Sequence, residues 1–220
     1  SIMDNDPDEI KRGHSLNSSL AYCEFNATKI NLIDTPGTSN FISDTPAVLR
    51  VVDGLVFVIS APEGLQFYTE KIWKWADELE LPRIIFLNKM DHELANTGPV
   101  IEAIKSKFKK TPIFIQLPQG VGGNFSGVID LIENKFFCYN KEGGNGEGNQ
   151  MEAPANISDA IEVSRAELME AVAEVDDELI EKYLESGELN EQDFSRGLKE
   201  GIQNGQLIPV LCGSALQNIG

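Results

Sequence analysis

Few of the residues that build disulfide frameworks or zinc sites occur in this sequence. Its 220 residues include three cysteines, Cys23, Cys138 and Cys212, which lie far apart and form no Cys-x-x-Cys pair. Neither of the two histidines, His14 and His92, accompanies a cysteine at a metal-binding spacing. An odd number of scattered cysteines argues against a disulfide framework or a zinc site. We therefore expect the reducing environment of the cytoplasm.

Long apolar runs are also absent. No run approaches the roughly 20 residues needed to cross a bilayer, and Ser1 opens no basic, apolar leader. We expect neither a membrane partner nor export. Hydrophobic residues still make up 41% of the chain, which is enough to bury the core of one large domain, with or without a sizeable insertion.

Positive charge is scarce. There are 18 lysines and arginines against 35 aspartates and glutamates, and the formal net charge is −17. An acidic surface repels phosphates, whereas non-specific affinity for nucleic acid depends on neutralising them. We therefore expect no DNA partner, and any contact with RNA would have to come from small local patches.

Short apolar runs separated by helical patterns indicate an α/β domain. Four runs without polar alternation predict buried parallel strands, and two segments with apolar residues on one face predict helices. The strands are Lys29–Ile33, Leu55–Ala61, Arg83–Leu87 and Leu207–Cys212, and the helices are Glu70–Leu79 and Val100–Phe108. The pattern predicts a mostly parallel sheet with helices on both faces, which binds ligands at the C-terminal ends of its strands.

From about Thr111 the pattern changes to that of an inserted α+β subdomain. It predicts antiparallel strands, a loop rich in Gly and Asn, and two helices, the second capped by Asn190. The strands are Pro112–Leu117, Gly127–Glu133 and Lys135–Tyr139, the loop is Glu142–Gln150, and the helices are Ile157–Leu184 and Asn190–Asn204. We therefore predict a core domain over residues 1–110, an insertion over 111–205, and a return strand with its loop over 206–220.

Three loops that follow predicted strands carry residues suited to a guanine nucleotide. In the first, Asp34 could hold a water of a phosphate-bound Mg²⁺, and Gly37 would let a backbone N–H approach a terminal phosphate. Taken alone, Asp-x-x-Gly is also an ordinary turn.

The second loop, Asn88-Lys89-Met90-Asp91, has chemistry that suits guanine. The carboxylate of Asp91 can accept hydrogen bonds from the N1–H and the exocyclic amine, donors that adenine does not offer in that arrangement. The stem of Lys89 can lie over the base, and Asn88 can tie the loop to its neighbours. The alternative is a polar strand-to-helix turn.

The third loop is Gly213-Ser214-Ala215. Its small residues would let the Ala215 N–H reach the guanine carbonyl, although Gly-Ser-Ala is common in loops. The order of the three motifs, each after a predicted strand, indicates a guanine-nucleotide site that includes Ser214 and Ala215.

With these motifs in place, nearly the whole chain resembles the elongation factor G family of translational GTPases. The stretches that carry the resemblance are Lys29–Phe41, Asn88–Asp91, Phe125–Ile132, Asp176–Glu188 and Ile208–Ala215. The resemblance implies a fold of the P-loop NTPase type, GTP or GDP and Mg²⁺ as ligands, and hydrolysis of GTP on the ribosome during translocation or a related elongation or recycling step. The insertion separates the chain from elongation factor Tu and from small signalling GTPases.

The family's roles carry over to matching positions of this chain. Asp34 would hold the Mg²⁺ shell, and Gly37 would contact the γ-phosphate beside the catalytic position. Ser15, at the end of switch I, would supply the hydroxyl that coordinates Mg²⁺ in the GTP state. The residues implied to hold the base are Asn88, Lys89, Asp91, Ser214 and Ala215.

The sequence departs from the family in its catalytic and phosphate-binding residues. No Gly-x-x-x-x-Gly-Lys-Ser/Thr occurs in the 220 residues. The family has this loop upstream of switch I, so we expect it to precede Ser1 and expect residues 1–220 alone to bind nucleotide poorly. Thr38 replaces the histidine that usually follows Asp-Thr-Pro-Gly, and His14 replaces an isoleucine. These changes are typical of a paralogue.

Thr38 leaves two interpretations open. Its hydroxyl is shorter than an imidazole and cannot become a cation, so hydrolysis would be slow or altered. Alternatively, another group orients the water and Thr38 is a loop residue. His14 could take over the missing imidazole's role or be a solvated loop histidine. The alternative function is a GTP-binding switch with weak or no hydrolysis; a third is an acidic interaction module with a degenerate pocket.

The predicted helix 157–185 is acidic. Between Asn156 and Glu185, ten acidic residues accompany only Arg165 and Lys182. Such a run is ordinarily a solvated helix face. In the family this subdomain meets the lysine-rich stalk protein of the ribosome, so the resemblance implies the ribosome as partner, reached through this helix. We expect the protein itself to be a monomer.

Overall fold

The computed structural model describes residues 3–108, 110–139, 146, 148–152 and 157–220, without the side chains of residues 39 and 40. The chain forms two compact units. The first comprises Ser1–Asp53 and Gln66–Glu80, and the second comprises Gly54–Leu65 and Leu81–Gly220.

The first unit contains a two-stranded sheet and short helices. Helix α1 (Pro7–Arg12) precedes strands β1 (Ser19–Phe25) and β2 (Thr28–Asp34), and a 3₁₀ turn (Ser39–Asp44), α2 (Thr45–Val48) and α3 (Phe67–Glu78) follow. Asn26 and Ala27 between the strands have positive φ angles of 46° and 59°, as in the two-residue turns that join antiparallel strands. The prediction of a helix at Glu70–Leu79 is confirmed.

The strand predicted at Lys29–Ile33 exists as β2, but the prediction that it is parallel and buried was wrong. It pairs antiparallel with β1, with Asn31 opposite Tyr22. Ile30 and Leu32 are 39% and 44% exposed. Lys29 and Asn31 alternate with these apolar residues, which is typical of an antiparallel strand and not of a buried parallel one.

The second unit is built on a four-stranded parallel sheet in the order β3-β4-β10-β5. Its strands are β3 (Leu55–Ser60), β4 (Arg83–Asn88), β5 (Thr111–Phe114) and β10 (Leu207–Cys212). The parallel strands predicted at Leu55, Arg83 and Leu207 are confirmed, and with them the mixed α/β class. Ile85, Leu87 and Ile208 are fully buried in this sheet. The burial predicted for both faces of the strand at Leu55 was wrong, because Val56 and Val58 on the edge strand β3 are 59% and 63% exposed.

The prediction of one antiparallel strand over Pro112–Leu117 was wrong. Thr111–Phe114 forms β5, which pairs parallel with β10 at the edge of the sheet. An edge position suits Pro112, because proline has no N–H for a second neighbour. The chain then leaves this sheet and enters an antiparallel one.

The antiparallel sheet has the order β6-β7-β8-β9. Its strands are β6 (Gln116–Gln119), β7 (Gly127–Asp130), β8 (Lys135–Cys138) and β9 (Asn149–Met151). The antiparallel strands predicted from Gly127 and Lys135 are confirmed. Of the loop predicted at Glu142–Gln150, residues 142–145 and 147 lie outside the described residues, while Asn149 and Gln150 belong to β9.

Four helices complete the second unit within the described residues. They are α4 (Thr97–Phe108), α5 (Ser158–Ala173), α6 (Asp177–Ser186) and α7 (Glu191–Gln203). The predicted helix at Val100–Phe108 is confirmed, and so is the cap of α7, since the Asn190 side chain accepts the Asp193 N–H at 2.9 Å. No helix in the described ranges is both long and apolar enough to span a membrane.

The prediction of a single helix over Ile157–Leu184 was wrong. The helix is interrupted, and α5 ends at Ala173 before α6 begins at Asp177. Asp176 has an extended backbone (φ −144°, ψ 134°), and its carboxylate accepts the Glu178 N–H at 3.0 Å. It therefore caps a new helix. Val172 on α5 and Leu179 on α6 are both fully buried in one apolar cluster. The domain boundaries proposed at residues 110/111 and 205/206 stay a prediction.

Candidate functional site

The two loops predicted to hold guanine lie together in the second unit. Strands β4 and β10 run parallel with Leu87 opposite Cys212, so the loops that follow them leave the same edge of the sheet. The Gly213 N–H donates to the Leu87 carbonyl at 2.9 Å, and the Met90 N–H donates to the Gly213 carbonyl at 3.1 Å. Backbone hydrogen bonds thus join the loops in both directions.

Asn88 connects the two loops through its side chain. Its Oδ1 accepts the N–H of Lys89 at 2.8 Å and the N–H of Ala215 at 2.9 Å. Sequence reasoning placed the Ala215 N–H at the guanine carbonyl, and here that donor is already engaged by Asn88. A base carbonyl would therefore share it or replace the amide oxygen.

Lys89 is held by a residue that sequence reasoning missed. Its backbone is left-handed, with a φ of 63°, and its Nζ lies 2.9 Å from Oε1 of Glu63. The Lys89 ammonium, by hydrogen bond and by charge, lowers the pKa of Glu63. Both side chains are more than half exposed, so the pair orients Lys89 without adding much stability. Nothing in the sequence singles out Glu63 beyond its place after β3.

Asp91 presents a carboxylate suited to guanine. The side chain is half-buried and makes no hydrogen bond or ion pair within the described part of the chain. Its neighbour Met90 is fully buried, and the Met90 carbonyl accepts the Gly122 N–H at 2.8 Å. An anchored loop thus offers an acceptor to a ligand.

Ser214 closes the last loop instead of facing outward. It is fully buried, it exchanges backbone hydrogen bonds of 2.8 and 3.0 Å with Ile219, and its Oγ accepts the Gln217 N–H at 3.1 Å. Gly213 is required beside it, because a Cβ there would lie 2.3 Å from the Ile219 carbonyl oxygen. The loop is shaped by its own contacts, and Ala215 is left exposed.

Predicted metal-binding residues meet in the first unit. The hydroxyl of Ser15 lies 3.2 Å from Oδ2 of Asp34 and 2.8 Å from Oδ1 of Asp4. One hydroxyl proton serves one carboxylate at a time, so Ser15 is shared between them. Asp4 is 9% exposed and was missed by sequence reasoning. Hydroxyl and carboxylate oxygens are the hard ligands that Mg²⁺ prefers, so Ser15 and Asp34 fit this ion.

Glu9 lies beside this cluster, and it too was missed. It is 3% exposed although charged. Its Oε1 accepts the N–H groups of Leu16 and Asn17 at 2.8 and 3.0 Å, and its Oε2 accepts the Asp6 N–H at 3.1 Å. Hydrogen bonds from the backbone of Asn17, Leu16 and Asp6 lower the pKa of Glu9. No metal-binding group of three or more His, Cys, Asp or Glu side chains occurs within the described ranges.

Gly37 and Thr38 follow Asp34, a predicted metal-binding residue, on the same loop. Gly37 is exposed with open space where a Cβ would stand. Thr38 precedes the 3₁₀ turn, and its Oγ1 is buried without a hydrogen-bond partner among the described residues. His14 Nδ1 lies 3.3 Å from the Ser15 carbonyl oxygen. The site roles assigned to all of these residues stay predictions.

Comparisons with known proteins give one consistent result. The family model of the elongation factor Tu GTP binding domain matches residues 1–220. Elongation factor G of Thermotoga petrophila is 38% identical over 214 residues, which cover 97% of this chain and 31% of that protein. A crystal structure of a Thermus thermophilus protein matches with a TM-score of 0.89 at 29% identity, over all of this chain and 32% of that one. The chain thus spans about a third of the length of these relatives.

Proposed function

The chain belongs to the family of the elongation factor Tu GTP-binding domain, and on that premise we propose that it is the guanine-nucleotide domain of a ribosome-dependent GTPase resembling elongation factor G. The resemblance of the sequence to elongation factor G is confirmed. The step in translation, the ribosomal partner and the catalytic residues are the proposed part.

The observation that carries the proposal is the joining of two loops by Asn88. Its side chain holds both Lys89 and Ala215, and the carboxylate of Asp91 lies on the same loop. Asp91 would accept the N1–H and exocyclic amine of guanine, while adenine would leave this carboxylate unpaired. The arrangement supports binding of GTP or GDP over ATP.

Three residues, Ser15, Asp34 and Gly37, are proposed for the phosphate side of the reaction. Ser15 and Asp34 would hold Mg²⁺, which when bound neutralises charge on the phosphate oxygens. The Gly37 N–H would donate to the γ-phosphate, and water would attack the phosphorus in line with the leaving oxygen. Thr38 stands where a residue that orients this water is expected.

Nucleotide binding and turnover by the full-length protein test the proposal. We expect tighter binding of GDP and GTP than of ADP and ATP by isothermal titration calorimetry. We also expect phosphate release from GTP to rise when ribosomes are added. Equal affinity for adenine and guanine nucleotides would contradict the guanine site. Guanine-specific binding without ribosome stimulation would contradict only the ribosomal part.

A second function, a GTP-binding switch with weak hydrolysis, is favoured by Thr38. Its hydroxyl is buried without a partner among the described residues, and it cannot supply the charge of an imidazolium. Such a protein would bind GTP and change conformation but turn over slowly even on ribosomes. The ribosome-stimulated rate separates the two functions.

We further propose that the basic stalk protein of the ribosome docks on residues 157–185. These residues form α5 and α6, and their exposed acidic side chains include Glu162, Glu167, Glu170 and Glu174. Acidic surfaces speed encounter with basic partners, mainly through the association rate. The association rate with a stalk-protein fragment should therefore fall steeply as salt rises. We expect the protein to act as a monomer in the cytoplasm.

A further inference from the structure

The segment that carries the proposed metal-binding Ser15 has no regular structure of its own. It runs from the αL residue Gly13, which ends α1, to the start of β1. The N–H groups of Leu16 and Asn17 directly after Ser15 donate to the carboxylate of Glu9. A side chain, not a strand or helix, therefore fixes this part of the backbone.

Glu9 is unusual in being both charged and buried. Acidic side chains are almost never fully buried unless they are paired, and Glu9 has backbone N–H groups as its partners. Its two carboxylate oxygens have different partners. Oε1 accepts the N–H groups of Leu16 and Asn17, and Oε2 accepts the N–H of Asp6. Hydrogen bonds to a charged group are stronger than neutral ones, so these three contacts form a rigid joint.

The joint lies beside the Ser15 hydroxyl. Holding the next two N–H groups fixes the backbone on the C-terminal side of Ser15. Ser15 Oγ then lies 3.2 Å from Asp34 and 2.8 Å from Asp4. If the backbone at residues 16 and 17 moved by an ångström or so, the hydroxyl would lose this position.

We propose that Glu9 is a positioning residue for the metal-binding hydroxyl of Ser15, and that it acts by clamping the Leu16 and Asn17 backbone. The inference rests on the proposed function, in which Ser15 reaches Mg²⁺ in the GTP state. Glu9 itself touches neither metal nor nucleotide. Its effect is therefore on Mg²⁺-dependent binding of GTP, with little effect on GDP.

Glu9→Gln tests the contacts of the two carboxylate oxygens separately. Glutamine keeps one acceptor oxygen and replaces the other with an NH₂ group. It can serve Asp6 or the Leu16–Asn17 pair, but not both. The matched control is Asp6→Ala, which removes the carboxylate that accepts the Asp8 N–H at 2.8 Å at the start of α1. That change weakens the helix cap and leaves the Leu16 and Asn17 contacts in place.

The first measurement is amide hydrogen exchange at residues 16 and 17 in the full-length protein. We expect Glu9→Gln to lower their protection about 10-fold or more, as for loss of a charged hydrogen bond. Asp6→Ala should leave these two amides protected. Unchanged protection in Glu9→Gln would overturn the proposal without reference to any nucleotide.

The second measurement is the Mg²⁺ dependence of nucleotide affinity, made with a non-hydrolysable GTP analogue and with GDP. Glu9→Gln should raise the Mg²⁺ concentration for half-maximal binding of the analogue by about 5- to 30-fold, and GDP affinity should stay within about twofold. In a Ser15→Ala background Glu9→Gln should add no further shift, because Glu9 acts through Ser15.

The outcomes distinguish this inference from the proposed function. If the wild type binds the analogue and Glu9→Gln shifts nothing, the role of Glu9 is overturned and the proposed function stands. A shift that persists undiminished in the Ser15→Ala background also overturns it. If the wild type binds no analogue at any Mg²⁺ concentration, both are overturned. Should Glu9→Gln unfold the protein, Glu9→Asp keeps the charge, and its shorter reach should give the same selective shift.

Discussion

The side-chain oxygen of Asn88 accepts a hydrogen bond from the backbone N–H of Ala215 at 2.9 Å, although 127 positions separate the two residues. The same oxygen accepts the N–H of Lys89. One amide group therefore fixes the geometry of both loops proposed to hold the base. Replacing it releases two backbone donors at once, which makes Asn88 the most informative single position in the second unit.

Asn88→Ala should weaken GDP binding by about 10- to 100-fold, because it removes two hydrogen bonds worth about 0.5–1.5 kcal/mol each and frees both loops. The dissociation constant of GDP for the full-length protein checks this. Asn96→Ala is the matched control, since the Asn96 side chain accepts the Gly98 N–H at 3.1 Å near the start of α4. Equal affinities in the two variants would contradict the role of Asn88.

Asp91→Asn should change which base is bound. An amide at this position keeps one acceptor but replaces the other with a donor, which would face the exocyclic amine of guanine. Xanthine carries a carbonyl there and would accept that donor. We expect GDP affinity to fall about 100-fold or more, and XDP to bind more tightly than GDP. A variant that still prefers GDP would contradict the assignment of Asp91 to the base.

The sequence correctly predicted that the two loops proposed to hold guanine lie together, because parallel strands place their C-terminal ends at one edge of the sheet. Arg83–Leu87 and Leu207–Cys212 read as buried strands, and the loops that follow them had to lie together. The helix cap at Asn190 could also be predicted, because it depends only on a contact with Asp193, three residues along the chain. Where a contact depends on one strand or one turn, residue pattern and spacing were enough.

Contacts that depend on the path of an irregular segment could not be predicted. Glu63 meets Lys89, and Asp4 meets Ser15, only because loops bring distant side chains together. The break at Asp176 was missed for another reason. No Gly or Pro interrupts the helical pattern there, and a single capping carboxylate outweighed the propensity of its neighbours to continue the helix.

Thr38→His should raise ribosome-stimulated GTP turnover by about 10-fold or more. An imidazole reaches further than the Thr38 hydroxyl and can stabilise charge near the attacking water, and a well-placed acid or base is worth about 10²–10⁴. Phosphate release under single-turnover conditions checks this. Thr38→Val keeps the shape but removes the hydroxyl, so it should match the wild type if that buried hydroxyl plays no part. An unchanged rate in Thr38→His would show that position 38 does not limit hydrolysis.

Cys212 should resist alkylation in the folded protein. It is fully buried at the end of β10, and burial raises its pKa to about 12. At pH 8 only about one thiol in ten thousand would be the reactive thiolate. Peptide mapping after iodoacetamide treatment should find Cys23, which is exposed, modified first, and Cys212 modified only after denaturant is added. Native-state labelling of Cys212 as fast as Cys23 would contradict the burial of β10 at its C-terminal end.

Lys182 on α6 forms one ion pair with Glu178 on the same helix and one with Asp193 on α7, and these pairs should make stability depend on pH in a defined window. Lys182 Nζ lies 2.8 Å from Glu178 and 2.9 Å from Asp193. The hydrogen bonds that the Lys182 ammonium donates to these carboxylates lower the pKa of Glu178 and Asp193 and raise the pKa of Lys182. The carboxylates contribute stability above their unfolded pKa of about 4 and lose it as pH falls through the lower folded value. The stability that Lys182 contributes is fully present below its unfolded pKa of about 10.4. It is lost as pH rises through the higher pKa of the folded state.

Lys182→Met should therefore lower the melting temperature at pH 7. The difference from wild type should shrink as pH falls below the unfolded carboxyl pKa of about 4 and as it rises above the unfolded lysine pKa of about 10.4. Lys199→Met removes the same charge from an exposed position on α7, so it controls for the change in net charge. Thermal unfolding followed by circular dichroism across this range checks the window. A difference that stays constant from pH 3 to pH 7 would mean that Lys182 stabilises the helices by packing of its stem, and not through its charge.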